Sequence, residues 1–376
     1  MPDRRHSVSI KLFCLLALAL VTLNGGPHAR SVAPKLAALA DPPPGKFYTG
    51  VYPGGSDGMC SDITGERLRA YQEQVGKRPT WVYFCDNWYE GRRFPLKTAT
   101  WIRANGSLPY IRMMMFSSDE IPRPDPVFNL ANIAGGKFDA DLHQWMRDAR
   151  NFGSPLLCEY GVEVNGWWFP WNGLWNKQHG SVRASVALFR AAYRHIIQIA
   201  RDEGAYNVRW VFHVDTWDEP VKDWNRFENY YPGDEWIDWV GASVYGRQIP
   251  RDKNAISFRY QMDWVYGRLT KMTNKPVIVC EFGNINDAGQ AAWAQAALAD
   301  LLSRRWPKVA GFSWWNETFY NDSTTGKQSD MRVEHNPALA AVFRAYVGRD
   351  PNVLGAPASA VEPPDLHAKL AAPARR

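Results

Sequence analysis

Eight short runs rich in β-branched and aromatic residues recur along the middle of the chain, at 46–53, 80–85, 108–116, 155–163, 207–215, 236–245, 276–282 and 309–316. Amphipathic stretches of helical length separate most of them, as at 181–203 and 288–305. The runs are nearly continuous in apolar residues rather than alternating, the pattern of strands covered on both faces. Eight such strands with intervening helices predict an α/β fold, a (β/α)8 TIM barrel forming one domain over residues 46–349. An open doubly wound sheet is the alternative, but its first turn would be expected to hold a phosphate-binding glycine pattern. Gly50, Gly54, Gly55 and Gly58 match none, and no Lys-Ser or Lys-Thr follows them.

The chain ends read differently. Arg4, Arg5 and Lys11 precede an apolar run over 12–23, which Asn24, Gly25, Gly26 and Pro27 break. The run falls short of the roughly 20 residues that cross a bilayer and reads as a signal peptide over 1–30, with Ala29 and Ala40 both possible cleavage points. A secreted or periplasmic location follows as an expectation. Residues 31–45 read as a Pro-rich linker, in which Pro42, Pro43 and Pro44 favour extended backbone. From 350 to 376 the chain is rich in Ala and Pro without periodicity, and is expected to be a flexible tail. In an oxidising compartment Cys60 and Cys85 are the pair expected to bond, since both fall near the ends of adjacent strands; Cys158 and Cys280 read as small buried hydrophobes.

Composition narrows the function classes. The 44 basic residues against 38 acidic give a net charge of +6, and three of the basic residues lie in the leader. No nucleic-acid footprint results. No membrane partner is expected once the leader is removed, and a monomer is expected. The 18 Trp, 16 Tyr and 17 Phe suit either a Trp-rich core or the partly wet walls of a carbohydrate site. Asp57, Asp62 and Glu66 make no calcium-loop pattern and the histidines no zinc motif, so neither metal nor cofactor is expected.

A barrel of this kind carries its chemistry where the C-terminal strand ends meet the loops. The fourth run delivers Glu163 and the seventh Glu281 to such positions. Burying an unpaired carboxylate costs several kcal/mol, so each is either a loop-clamping ion pair or a working group at the mouth. Two together suit glycosidic bond cleavage. One protonates the leaving oxygen and the other attacks, provided they stand about 5–5.5 Å apart. An ionised Glu281 would then help Glu163 keep its proton. Alternation along the fourth run puts Glu159, Gly161 and Glu163 on one side. Glu159 would then point into the barrel and require a cation, Arg112 or Arg209. Tyr52, His213 and Asp215, and Asp86, Asn87 and Trp88 also end strands, as sugar-hydroxyl partners or structural hydrogen-bond partners.

The run Glu163-Val164-Asn165-Gly166-Trp167-Trp168-Phe169-Pro170-Trp171 is similar to the acid/base signature of glycoside hydrolase family 26. Val279-Cys280-Glu281-Phe282-Gly283 resembles that family's nucleophile strand. Tyr231-Pro232-Gly233-Asp234, then Asp238-Trp239-Val240-Gly241 and Tyr245-Gly246, resemble its sixth strand. The resemblance implies a retaining mechanism on β-linked polysaccharides, usually mannans, with Glu163 as acid/base, Glu281 as nucleophile and Tyr245 hydrogen-bonded to Glu281. Trp168 and Trp171 would shape the sugar platform, and Trp314 or Trp315 would floor the reacting subsite. Asn165, Trp88 and His213 complete the candidate sugar-binding set. Two positions depart from the family pattern: Val162 stands where a histidine usually precedes the acid, and Glu159 where an arginine usually sits. They leave open a glycanase acting on another polymer (mixed-linkage glucan, xylan or an exopolysaccharide) and a noncatalytic glycan-binding barrel.

Overall fold

The structure, a computed structural model, describes residues 37–55, 62–179, 181–253, 255–321 and 325–356. Eight strands build it: β1 (Phe47–Tyr52), β2 (Trp81–Asn87), β3 (Leu108–Met114), β4 (Leu156–Tyr160), β5 (Val208–Asp215), β6 (Trp239–Tyr245), β7 (Val277–Gly283) and β8 (Val309–Trp315). All pair in parallel with their sequence neighbours, and β1 closes on β8 from Tyr48↔Gly311 to Tyr52↔Trp315. This is the (β/α)8 barrel that the sequence rhythm predicts. Nearly every strand residue is buried, because the barrel interior covers one face and the helices the other.

The helices are α1 (Gly65–Val75), α2 (Leu96–Ala104), α3 (Leu130–Ala134), α4 (Asp139–Phe152), α5 (Val182–Asp202), α6 (Phe258–Met272), α7 (Gln290–Leu302) and α8 (Pro337–Phe343). The longest, α5, starts where the Ser181 hydroxyl accepts from the Ala184 N–H. It buries Phe189, Tyr193, Ile196 and Ile197 on one stripe, each worth about 1.5–3 kcal/mol in apolar burial. Among the described residues no helix is long and apolar enough to cross a membrane.

The fourth strand is shorter than its sequence predicts. It ends at Tyr160, and Gly161 turns the chain with φ 71°. A Cβ there would lie 2.3 Å from the Phe189 ring, so only glycine fits this left-handed, crowded position. Glu163 therefore reaches the mouth on a turn and not by strand alternation.

The ends also differ from expectation. Asp41, in the segment read as a linker, accepts from Arg209 Nη1 at 2.6 Å and from Trp239 Nε1 at 2.8 Å. These contacts fasten the segment to β5 and β6. At the other end β11 (Val353–Leu354) extends the sheet beside β1, with Lys46 Nζ donating to Pro351 O and Lys77 Nζ to Val353 O. The described structure thus continues past the predicted boundary at 349, because these lysines satisfy carbonyls that a free tail would leave to water; residues 357–376 of the expected tail lie outside the described residues. Between β8 and this end, β9 (Thr318–Tyr320) and β10 (Gln328–Asp330) form a small antiparallel hairpin. Cys85 is disulfide-bonded, and Cys60, its expected partner, lies outside the described residues together with residues 1–36. Cys158 and Cys280 are free and buried.

Candidate active site

The geometry at the mouth begins with a bulge. Along β6 and β7, Ala242 pairs with Val279 but Ser243 pairs with Glu281, so β7 carries one extra residue at Cys280. A bulge breaks the two-residue alternation. Both Cys280 and Glu281 consequently face the barrel interior: Cys280 Sγ lies 3.6 Å from Tyr110 Oη, while Glu281 meets Tyr83, Arg112 and Tyr245. Phe282 returns to the outer face against Phe258 and Trp314.

Glu281 is held from several sides. Tyr245 Oη donates to Oε2 at 2.7 Å, Tyr83 Oη to Oε1 at 3.1 Å, and Arg112 Nη2 stands 3.4 Å from Oε1. Burial pushes the Glu281 carboxyl above its ordinary range; Glu163 adds to the rise, while Arg112, His213 and the Tyr245 hydroxyl oppose it. Glu163 sits on the turn after β4 with a left-handed φ of 48°. Its Oε2 accepts from Trp168 Nε1 at 2.7 Å. Trp168 folds back over Gly166, where a Cβ would lie 2.3 Å from its ring. One carboxylate oxygen of Glu163 and one of Glu281 lie within 4.8 Å of each other, and a His213 ring nitrogen lies within the same distance of each. The two glutamates, 118 positions apart in the chain, meet across one mouth.

Glu159 lies buried below this pair. Its register partner across the sheet is Arg112, whereas Arg209 pairs with Leu157, two residues earlier, and is spent on Asp41. Of the two predicted cations, Arg112 is therefore the one that answers Glu159, with Nε 3.6 Å from its Oε1. The sequence had not shown that the same guanidinium reaches Glu281. Glu159 also accepts from Tyr110 Oη at 2.6 Å, from His213 Nδ1 at 3.1 Å and from Tyr83 Oη. Burial works to raise its pKa, but His213, Arg112 and Tyr110 outweigh that and hold the carboxyl below its ordinary range. Tyr83 has one proton and stands between two carboxylates, so it serves one of them at a time. His213 is its counterpart: burial opposes a charge on the ring, yet its neighbours Cys280 and Glu159 raise its pKa well above the usual value. Burial pushes the Cys280 thiol up, so Glu159 is the group that carries the negative charge.

Several sequence candidates belong to the framework and not to a sugar surface. Trp171 is 2% exposed and donates to Val162 O, and Trp314 is 0% exposed and donates to Met331 O. Trp88 is buried edge-on against Phe128. Asn165 spends its amide on Asp215 O, Trp217 O and Asp218, and its oxygen on Asp215 N, clasping the β4 and β5 loops together. His213 is sealed between Glu159 and Ser243 Oγ. Trp315, by contrast, lies over Tyr52 with ring centroids 4.0 Å apart and has Arg112 5.5 Å from its ring. With Trp168 and Tyr245 it lines the mouth.

Sequence reasoning missed Tyr83, which looks like one more aromatic in an apolar strand. It also missed Glu317, whose position just past β8 could have signalled it. Glu317 is buried and accepts from Tyr52 Oη and Trp315 Nε1; burial raises its pKa to about 7 against those hydrogen bonds. Asp215, beside Glu163, is raised well above its ordinary value by burial and then by the Glu163 charge.

The donor atoms of Glu159, His213 and Cys280 are close enough to hold a metal, as are those of Glu163, His213 and Glu281. Those of Glu159, His213 and Glu281 already carry hydrogen bonds, and Arg112 supplies positive charge to Glu159 and Glu281. What the arrangement offers is two facing carboxyls, one held by a cation and two tyrosines and the other by an indole N–H.

A family model described as glycosyl hydrolase family 26 matches residues 133–339, more than half of the chain. The chain is 26% identical over 284 residues to Endoglucanase H of Acetivibrio thermocellus, covering 75% of this chain and 29% of that protein. It is 26% identical over 151 residues to β-1,3-xylanase TXYA of a Vibrio species, covering 40% of this chain and 28% of that protein. It thus spans less than a third of the length of these curated relatives. Among solved structures, Bacillus subtilis mannanase man26 superposes with a TM-score of 0.56 at 18% identity, covering 81% of this chain and 86% of that one. The catalytic domain of an endo-β-1,4-mannanase from Bacillus sp. JAMB-750 gives 0.57 at 15% identity, covering 82% and 87%. At these identities the superpositions establish the shared barrel fold.

Proposed function

The chain belongs to glycosyl hydrolase family 26, and on that premise we propose that it cleaves β-linked polysaccharides with retention of configuration. The observation that carries the reading is the approach of Glu163 and Glu281 to within 4.8 Å, the spacing of a direct-attack pair rather than one that leaves room for water. Glu281 attacks the anomeric carbon while Glu163 gives its proton to the leaving oxygen, forming a glycosyl ester. Water then attacks that ester, Glu163 takes the water's proton, and Glu281 leaves as carboxylate. Arg112 and Tyr245 favour the ionised nucleophile, and Trp168 and Trp315 shape the reacting subsite.

The first polymer to test is β-1,4-mannan. A β-glucan is the second reading, supported by Val162, a buried apolar side chain directly before the acid, and by the similarity to Endoglucanase H. Export is part of the proposal and rests on the basic and apolar leader of residues 1–23.

Reducing-sugar release from mannan, mixed-linkage glucan, xylan and the producer's own exopolysaccharide tests the activity, and NMR of the first-formed anomer tests its stereochemistry. Glu281→Gln is expected to abolish turnover. Glu163→Gln is expected to slow substrates with poor leaving groups most and to regain rate with azide. An inverted first product, or a Glu281→Gln enzyme as active as wild type, overturns the assignment. Binding without product from wild type makes the chain a glycan-binding barrel.

A further inference from the structure

Three aromatic side chains lie together on the surface away from the reacting pair. Trp217, just past the end of β5, has its ring centroid 6.2 Å from that of Trp264 at an interplanar angle of 27°, and 6.1 Å from Tyr260 at 36°. Tyr260 is 63% exposed and Trp264 50% exposed. They sit one turn apart on α6, on the face opposite the one that buries Phe258, Met262, Val265 and Leu269. The helix therefore satisfies its core without them. A cluster of large rings left in water is costly unless something covers it.

Both sides of this cluster are tied to the mouth. Trp217 N donates to Asp215, the last residue of β5, and Trp217 O accepts from Asn165, two residues after Glu163. On the other side Gln261, buried on the core face of α6 and next to Tyr260 in the chain, donates to the carbonyl of Tyr245, the residue that holds Glu281. Beside Trp264 an open hollow of about 570 Å³ runs past Asp218, Lys222, Asp223 and Arg268. Flat apolar rings with a rim of charged donors and acceptors match the two sides of a pyranose, its C–H face and its hydroxyl edge.

We propose that Trp217, Tyr260 and Trp264 form a distal platform that carries a β-linked polysaccharide strand beyond the sugars at the reacting pair. The inference rests on the hydrolase reading for its ligand, but it concerns residues that touch no reacting atom. The platform lengthens the grip on polymer, so its loss weakens long chains more than short ones.

The test uses the full chain carrying Glu281→Gln, which holds polymer without turning it over, in affinity electrophoresis through gels containing β-1,4-mannan or mixed-linkage glucan. Trp264→Ala, and Tyr260→Ala with Trp264→Ala, are expected to weaken retention about tenfold or more through loss of ring contact and buried area. Tyr206→Ala, an exposed aromatic just before β5 at the other end of the barrel, serves as the control for loss of any surface ring. In the active enzyme the ratio of the polymer KM to the trisaccharide KM is expected to rise by the same factor. Retention unchanged by the α6 substitutions, or lowered equally by Tyr206→Ala, overturns the platform. So does a Glu281→Gln chain that binds no polymer. Hydrolysis by wild type decides separately whether the reading beneath it falls too.

Discussion

Replacing Glu159 by Gln removes a buried negative charge while keeping the side chain's volume and one acceptor oxygen. In the folded barrel that charge faces Arg112, the His213 ring and two tyrosine hydroxyls. Taking one partner from a buried ion pair costs about 3–5 kcal/mol, because the opposite charge is left uncompensated. Arg112 keeps Glu281 at 3.4 Å, so the loss belongs at the lower end, about 3 kcal/mol. For a domain of this size that is a fall in melting temperature of about 6 °C, at about 2 °C per kcal/mol. The pH dependence gives a sharper check. Glu159 has a lowered folded-state pKa, so its stabilisation is fully present above the unfolded carboxylate value and is lost as pH falls through the folded value. Urea unfolding of wild type and variant should therefore differ most near about pH 7 and converge towards about pH 3, below the ordinary carboxylate range. Equal midpoints at neutral pH, or a gap that does not narrow on acidification, would refute the reasoning that the charge network carries this stability.

Tyr245→Phe removes a hydrogen bond to ionised Glu281, worth about 1.5–3 kcal/mol. On the proposed mechanism Glu281 attacks in its ionised form, and its pKa is already raised, so the acid limb of kcat/KM should move up by about 1–2 pH units; a limb that stays in place assigns that limb to another group. Trp171→Ala empties a sealed site and should cost about 3–5 kcal/mol of stability, with KM for polymer changing less than in Trp168→Ala, which strips Glu163 of its hydrogen-bond donor; the reverse ranking would return Trp171 to the sugar surface. Asn165→Ala unfastens the β4 and β5 loops, and each lost bond to a buried partner costs about 1 kcal/mol. It should lower both urea midpoint and kcat, and a variant with wild-type values for both would show that the clasp is dispensable.

The barrel and its two facing glutamates were legible because both depend on patterns that survive in one dimension: a recurring apolar run and a carboxylate near its end. What was not legible depends on how single residues break those patterns. The bulge at Cys280 adds one residue to β7 without interrupting its apolar run, so no sequence signal marks the point where alternation fails. Gly161 ends β4 early, and counting every second residue through it assigned Glu163 a facing for the wrong reason. Among the tryptophans, Trp168 and Trp171 share one motif and Trp314 and Trp315 are neighbours, so composition could not divide wall from core. That division comes from the turn in which Trp168 folds over Gly166, and from the side of β8 that each indole leaves.

A glutamate held at φ 48° adopts backbone that costs an L-residue with a Cβ about 1–2 kcal/mol relative to its ordinary conformations. Position 163 is therefore one where durability and chemistry pull apart. Asparagine, which tolerates that region more readily, would relax the resting backbone while removing the carboxyl proposed to give the proton. A screen of this chain for heat resistance alone would on that ground be drawn towards variants that outlast the parent and cut nothing.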